Sequence, residues 1–265
     1  MSASANLKVM TFNIRFDNPE DGLHAWPFRR ELVVETVLRE GPDLLATQEG
    51  MPAQLEHLSR DLRGYAACFP PRGQDPDPRV QYPTIFFRSA LLAQETCGEF
   101  WLSETPEVHR SKSWGAAFPR VFTFGRFRHR FTGKGLWFAN THLDHVSAEA
   151  RVQGVGLILR WVRRRRLPVI LAGDFNDVPD GRIHRLLTDR PGPLRDSWRA
   201  VGGPPEEEVS TAHHFTGKGE GGRIDWILVS PGVEVEEARI LDRFEGDAFP
   251  SDHFPYLARI RISSR

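Results

Sequence analysis

Asp174, Asn176 and Asp177 follow closely on one another where an apolar run, Val169-Ile170-Leu171-Ala172, gives way to Gly173. Carboxylate and amide oxygens delivered together from the end of a buried strand suit acid–base work or the holding of a hard cation. An ordinary Asx-rich turn has the same local composition, so the rest of the chain must supply the context. The event recurs: Asn13, Glu49, His142, Asp225, and Asp252 with His253 each stand at or near the end of an apolar, strand-like segment. Oxygen donors of this kind suit Mg²⁺ or Mn²⁺ better than the softer metals that thiolates bind. There is no glycine-rich phosphate loop and no serine in a nucleophile elbow, and the histidines lack the close helical pairing of a zinc peptidase. Metal-assisted attack of water on a phosphate ester is the chemistry that matches best.

Positioning these groups requires rigid strands that end on one rim. Residues 7–12 alternate as a strand, and residues 43–48 and 168–172 read as buried strands. Between the first two, Pro27 and Gly41-Pro42 bracket a helix with Val33, Val34, Val37 and Leu38 on one face. Pro52 opens a second helix carrying Leu55, Leu58 and Leu62. Residues 65–69 read as a strand, 70–78 as a loop, and 84–88 with 91–100 as a pair of strands turning at Ser89-Ala90. Residues 103–119 form a long irregular region, and Trp101 and Trp114 argue against its being disordered. Residues 121–131 and 136–143 form a hairpin around Thr132-Gly133-Lys134-Gly135. Ser147 caps a helix whose apolar stripe is Ala148, Val152, Val155, Leu159 and Val162, and the run Arg163 to Arg166 closes it. A short helix is expected near 182–187, then a strand over 223–230, with residues 233–241 pairing with it. In the last strand Tyr256, Ala258, Ile260 and Ile262 share a face. Strand ends converging on one rim of an α/β chain are where ligands bind. With no repeat or linker, one domain with a core of about residues 7–263 is the economical reading.

The chain of 265 residues has 35 basic and 35 acidic side chains, so no global field draws it to nucleic acid or an anionic membrane. A polyanionic substrate must be held by a local basic patch or a metal. Cys68 and Cys97 give neither a disulfide framework nor a zinc spacing, and buried free thiols are expected. The N-terminus has no basic region followed by an apolar core, and no run reaches membrane-spanning length. A soluble, cytoplasmic protein without stable membrane insertion or an obligate protein partner is therefore expected.

Six short motifs, taken in order, resemble the endonuclease/exonuclease/phosphatase superfamily. They are Thr11-Phe12-Asn13, Gln48-Glu49, Asn140-Thr141-His142-Leu143, Gly173-Asp174-Phe175-Asn176, Arg223-Ile224-Asp225 and Ser251-Asp252-His253. Each is weak alone, but together they cover nearly the whole chain. Phe100-Trp101-Leu102-Ser103-Glu104-Thr105-Pro106, Trp114 and Pro119-Arg120 resemble a bacterial branch of metal-dependent hydrolases. The resemblance implies an α/β (α+β) four-layer sandwich, two packed mixed sheets flanked by helices, with the site at one end.

Chemistry and resemblance together suggest roles. Glu49 is the expected principal ligand of one or two Mg²⁺ or Mn²⁺ ions, with Asn13 beside it and Asp252 completing the set. Asp174 is the general base or orienter of the attacking water, and Asn176 hydrogen-bonds that water or a phosphate oxygen. His253 contacts the phosphoryl oxygen, and Asp225 holds it in one tautomer and favours its cation. His142 is a second phosphate contact or a proton donor, Arg120 a further phosphate contact, and Asp144, His145 and Asp177 are neighbours that support the site. His24, His57, His109, His184, His213 and His214 are read as structural or solvated. Apurinic endonucleases of this superfamily place a carboxylate two residues after the first Asn; Arg15 stands there instead and weakens a DNA-repair reading.

The expected activity is hydrolysis of a phosphate ester, by a phosphodiesterase or nuclease, with nucleic acid or a nucleotide among the candidate substrates. A phospholipid or inositol-phosphate hydrolase is the alternative. A non-catalytic binding protein would have lost a core residue, and none is missing. Arg126, Arg128 and Arg130 alternate along one strand, either as a nucleic-acid groove or as a solvated face.

Overall fold

The computed structural model describes residues 4–68, 77, 79–244 and 248–263; of the loop expected at 70–78, only Asp77 is described. The strands are β1 (Ala5–Asn13), β2 (Leu44–Gly50), β3 (Tyr65–Cys68), β4 (Tyr82–Arg88), β5 (Leu92–Trp101), β6 (Val121–His129), β7 (Gly135–His142), β8 (Val169–Asp174), β9 (Arg195–Asp196), β10 (Asp225–Val229), β11 (Val233–Ile240) and β12 (Tyr256–Ile262). The α-helices are α1 (Trp26–Glu40), α2 (Pro52–Asp61), α3 (Ala148–Arg163), α4 (Arg182–Thr188) and the short α5 (Ser197–Ala200). Two six-stranded sheets result, ordered β11-β12-β1-β2-β4-β3 and β5-β6-β7-β8-β10-β9.

The strands are apolar on both faces because both faces are covered. Leu7 and Val9 of β1 face Phe138, Ile170 and Ile227 of the other sheet in a shared inner core. Met10 and Phe12, which alternate with them, pack under Val33 and Val37 of α1 and Leu55 and Leu58 of α2. On the far side Ala139, Leu171 and Trp226 pack under Val155, Ile158 and Val162 of α3. The result is the expected four layers. Helix punctuation also follows the sequence: Gly41 ends α1 in the left-handed conformation, and the Ser147 side chain accepts the Ala150 N–H at the start of α3.

Pairing explains why the polar residues meet. In each sheet the central pair is parallel, β1 with β2 and β7 with β8, so Asn13 lies beside Gln48 and His142 beside Asp174. β10 runs antiparallel to β8 and begins with Asp225 opposite Asp174. β12 is antiparallel to β1, which leaves Asp252 and His253 at the same end. Gln48 joins the sheets below that rim: its Nε2 donates to Asn140 Oδ1 at 2.8 Å, and Asn140 Nδ2 donates to the Thr47 and Thr84 carbonyls. Gly173 serves close approach more than turning. It stays within β8 at φ 149°, and a Cβ there would lie 2.1 Å from the Thr141 carbonyl oxygen.

Three expectations are corrected. Residues 233–241 do not pair with the strand of residues 223–230, because β11 belongs to the other sheet and pairs with β12. β4 and β5 are not partners either: the chain crosses from one sheet to the other between them, so each pairs within its own sheet. Cys68 and Cys97 are not free thiols but a disulfide with its Cα atoms 6.1 Å apart. β3 and β5 are the edge strands at the same flank of the sandwich, a proximity that a separation of 29 residues in the chain conceals. Such bonds persist in oxidising surroundings, which weighs against the cytoplasmic expectation. Among the described residues no helix is long and apolar enough to cross a membrane.

Candidate active site

Asp174 sits at the centre of the rim, buried at the end of β8. Its two carboxylate oxygens are oriented separately: Oδ1 accepts the Asn176 backbone N–H at 2.9 Å, and Oδ2 accepts Asn13 Nδ2 at 3.0 Å. The same Asn13 amide donates to Glu49 Oε1 at 3.1 Å, so one side chain from β1 ties the carboxylates of both sheets together. Glu49 Oε2 accepts the Phe16 N–H. His253 Nδ1 lies 2.9 Å from Asp225 Oδ2, and its Nε2 lies 4.0 Å from Asp174 Oδ2. His142 Nε2 is 3.4 Å from that same oxygen. Arg15, Glu49 and Asn176 all adopt positive φ, of 54°, 66° and 48°, a costly backbone state for side-chain-bearing residues that clusters at functional sites.

Burial and charge divide the titrating groups. Burial, reinforced by the charge of Asp225, pushes Asp174 up to about 7 against the opposing pull of His253 and two N–H donors. Burial alone would lower His253, yet the Asp225, Asp174 and Asp252 carboxylates hold it well above its ordinary value. His142 is held well below, by burial first and then by Arg120, His253 and His145. The rim therefore combines a cationic and a neutral imidazole with a carboxylate that titrates near neutral pH.

The oxygen-rich donor set fits a hard divalent cation. Ligand atoms of Asp174, Asp225 and His253 lie within 4.8 Å of one another. Asp225 Oδ1 is buried without a hydrogen-bond partner, an arrangement that leaves negative charge to be balanced. Of the residues expected as ligands, Asn13 and Glu49 are in direct contact, and Asp252 lies on the same rim with Oδ2 3.7 Å from Arg15 Nη1. Arg15 itself is fixed by Asp21, at 2.9 Å from both Nε and Nη2.

Arg120 is drawn in beside Glu49 and His142, where all three line a cavity of about 380 Å³ with Trp101, Phe118 and Gln81. Its Nε is buried and unpartnered, 3.9 Å from Asp144 Oδ2, and its Nη2 lies 3.2 Å from His145 Nδ1. Asp144 does not reach the rim chemistry: it accepts the Ala117, Phe118, Val146 and Ser147 N–H groups and so shapes the cavity wall. His145 stacks on Phe118. Asp177 turns to its neighbour's Val178 N–H. Asn176 Nδ2 is committed to the Leu143 carbonyl, so the side-chain donation expected of it is already taken, and its backbone N–H serves Asp174. Of the histidines read as structural or solvated, His184 pairs with Asp196 at 2.9 Å, His213 stacks on Phe254 and His24 stacks on Phe215, whereas His57 lies with Glu31 and Asp61 in a group that could hold a metal ion.

Two residues that hold the site escape the sequence reading. Thr211 Oγ1 accepts the N–H groups of Ile224 and Asp225 and sets the start of β10. Arg29 is 1% exposed and donates to the carbonyls of Ile14, Arg15, Phe16, His24 and Pro250, clamping the loop after Asn13 to the loop before His253. The available signal was its spacing, four residues before Val33 on the buried face of α1. Arg29→Met keeps the bulk but leaves those carbonyls unpaired, and is expected to cost about 3 kcal/mol or more. A urea midpoint within experimental error of the wild type would rule out the clamp.

A family model described as the Endonuclease/Exonuclease/phosphatase family matches residues 10–253. Among solved structures, a protein of that family from Bacteroides thetaiotaomicron is 29% identical, with a TM-score of 0.90 over 99% of this chain and all of its own. The mannosyl-6-phosphatase of Bacteroides thetaiotaomicron VPI-5482 is 30% identical, with a TM-score of 0.86 over 96% of this chain and 99% of its own. The 3'-5'-exoribonuclease subunit Ccr4 of the CCR4-Not complex from Kluyveromyces lactis is 22% identical over 90% of this chain, which spans 38% of that subunit.

Proposed function

The chain belongs to the Endonuclease/Exonuclease/phosphatase family, and from that premise we propose that it is a divalent-cation-dependent hydrolase of small phosphate esters. The observation that carries the reading is the Asn13 amide shared between Glu49 and Asp174, with the Asp225–His253 pair on the other side of Asp174. Glu49, Asn13 and Asp252 would hold Mg²⁺ or Mn²⁺, which when bound polarises the phosphoryl group and offsets its charge. Asp174 takes the proton of the attacking water, a task suited to a carboxylate that titrates near neutral pH. The Asn13 and Asn176 donors fix its direction. Cationic His253 faces the phosphoryl oxygen on which charge grows. Neutral His142 and Arg120 hydrogen-bond the remaining phosphate oxygens. Arg120 is the better suited to do so, because it keeps its charge and lines the cavity beside Glu49 and His142.

A small substrate is favoured by the shape beside Glu49. The cavity of about 380 Å³ there is a recess with aromatic walls, a size and character typical of small-ligand pockets. The basic strand that could have tracked a polynucleotide is occupied: Arg126 and Arg128 both pair with Glu95, and Arg130 donates to the Ser89 carbonyl. The relative named as a mannosyl-6-phosphatase supports a sugar phosphate as the first substrate to try, while the exoribonuclease relative keeps a 3′-terminal nucleotide as the second reading. The deciding experiment is a Mg²⁺ and Mn²⁺ screen over hexose phosphates, nucleoside phosphates, linear and cyclic phosphodiesters and single-stranded oligonucleotides. The proposal expects turnover of a small phosphate ester to exceed that of any oligonucleotide. Efficient degradation of oligonucleotides, with small esters left intact, would replace it by the nuclease reading.

A further inference from the structure

At the end of the sandwich opposite Asp174, the turn before β7, the segment after α3 and the connection after β10 surround a second cavity of about 760 Å³. Among the described residues its lining carries Lys134, Arg163, Arg165 and Arg166 and no aspartate or glutamate. Arg164 adjoins them, and none of the five has an acidic partner among the described residues. Other arginines of this neutral chain do pair with acids, as with Arg126 and Arg128 on Glu95 or Arg199 on Asp180 and Glu206, whereas here cations sit side by side around one cavity. The helix dipole does not account for the cluster. Cations in a last turn gain about 0.3–1 kcal/mol, and Arg160 and Arg163 already take that position in α3. The further cations add mutual repulsion. Arg165 is also built in: its guanidinium lies 4.7 Å from the Trp137 ring and 4.6 Å from the Trp161 ring, with Nε on the Trp161 carbonyl.

We propose that this cavity is a binding site for an anion bearing two or more closely spaced phosphates, whether a free polyphosphate or a phosphorylated headgroup. Guanidinium forks match phosphate oxygens in pairs, and a concave site of this volume suits a small ligand. The site lies away from the catalytic rim, so the inference does not depend on the substrate assigned there.

The test is calorimetric titration of the full chain with sodium tripolyphosphate in low salt without divalent cations. Sedimentation with phosphatidylcholine vesicles, with or without a phosphorylated inositol lipid, accompanies it. The wild type should bind tripolyphosphate, and Arg163→Glu combined with Arg166→Glu should weaken that binding by about tenfold or more. Phosphate-ester turnover should stay within about twofold, since the cavity lies at the far end of the sheets. Lys134→Glu, on a turn, gives a second reading if the double variant folds poorly. Vesicle capture that needs the inositol lipid would identify a headgroup as the source; tripolyphosphate binding without capture would identify a free polyphosphate. Equal affinity in wild type and variants, or no binding to either probe, would overturn the proposal. Binding of a single-stranded oligonucleotide without tripolyphosphate would assign the surface to nucleic acid instead.

Discussion

Asp174→Asn is expected to lower kcat/KM for the preferred phosphate ester by about 10²–10⁴-fold, the range for loss of a general base, while the folded protein persists. The two effects separate because of where Asp174 sits. Its oxygens accept one N–H from Asn176 and one from Asn13, so an amide of the same shape keeps one of these bonds and sets an N–H against the other donor. That loss costs about 1 kcal/mol. It is opposed by the removal of a buried negative charge that Asp225 and burial disfavour. Tm should therefore move by only a few degrees, roughly 2–4 °C per kcal/mol in a chain of this size. Steady-state kinetics and a thermal melt on the same preparation decide the matter. A variant with near wild-type turnover would remove Asp174 from the chemistry. One that loses turnover only by unfolding would make it a structural residue.

The sequence made such residues legible because they follow apolar runs whose pattern marks a buried strand. Asn13, Glu49, His142 and Asp174 were readable in this way and Asp225 and His253 by standing at or just before the start of such a run, and the pairing of β1 with β2 and β12 and of β8 with β7 and β10 gathers them. Helix ends were legible too, since proline, glycine and serine act locally. What escaped was set by partners distant in the chain. Apolar alternation in residues 233–241 says that they form a strand but not that β12 is the neighbour. Cys68 and Cys97 meet only because β3 and β5 fall on the same flank. Arg29 and Thr211 act on backbone groups, and backbone groups carry no residue type to recognise. Asp144, two residues from a site histidine, was read as a neighbour supporting the site, and four backbone N–H groups claim its carboxylate for the cavity wall.

Chelation should have an equally large effect, abolishing hydrolysis, with Mg²⁺ or Mn²⁺ restoring it. The argument is electrostatic. Glu49, Asp174, Asp225 and Asp252 gather at one rim, and Asp225 Oδ1 is buried with no donor to meet it. His253, Arg15 and Arg120 offset part of that charge, but Arg15 is already committed to Asp21 and turned toward Asp252. A phosphate ester brings still more negative charge, so without a divalent cation the substrate is repelled by the residues that should attack it. Binding can be read apart from activity. At about one hundred times its Kd, an ion that binds only the folded chain adds about 2.7 kcal/mol of stability, or roughly 5–10 °C in Tm for a chain of this size. Glu49→Gln removes the charge of the expected principal ligand and should weaken Mn²⁺ binding by at least about tenfold by calorimetry. Asp144→Asn should leave Mn²⁺ affinity unchanged, because its carboxylate is occupied with the cavity wall. Hydrolysis that proceeds unimpaired in EDTA would remove the ion from the mechanism. An Mn²⁺ affinity indifferent to Glu49→Gln would instead move the ion to the Asp174, Asp225 and His253 cluster.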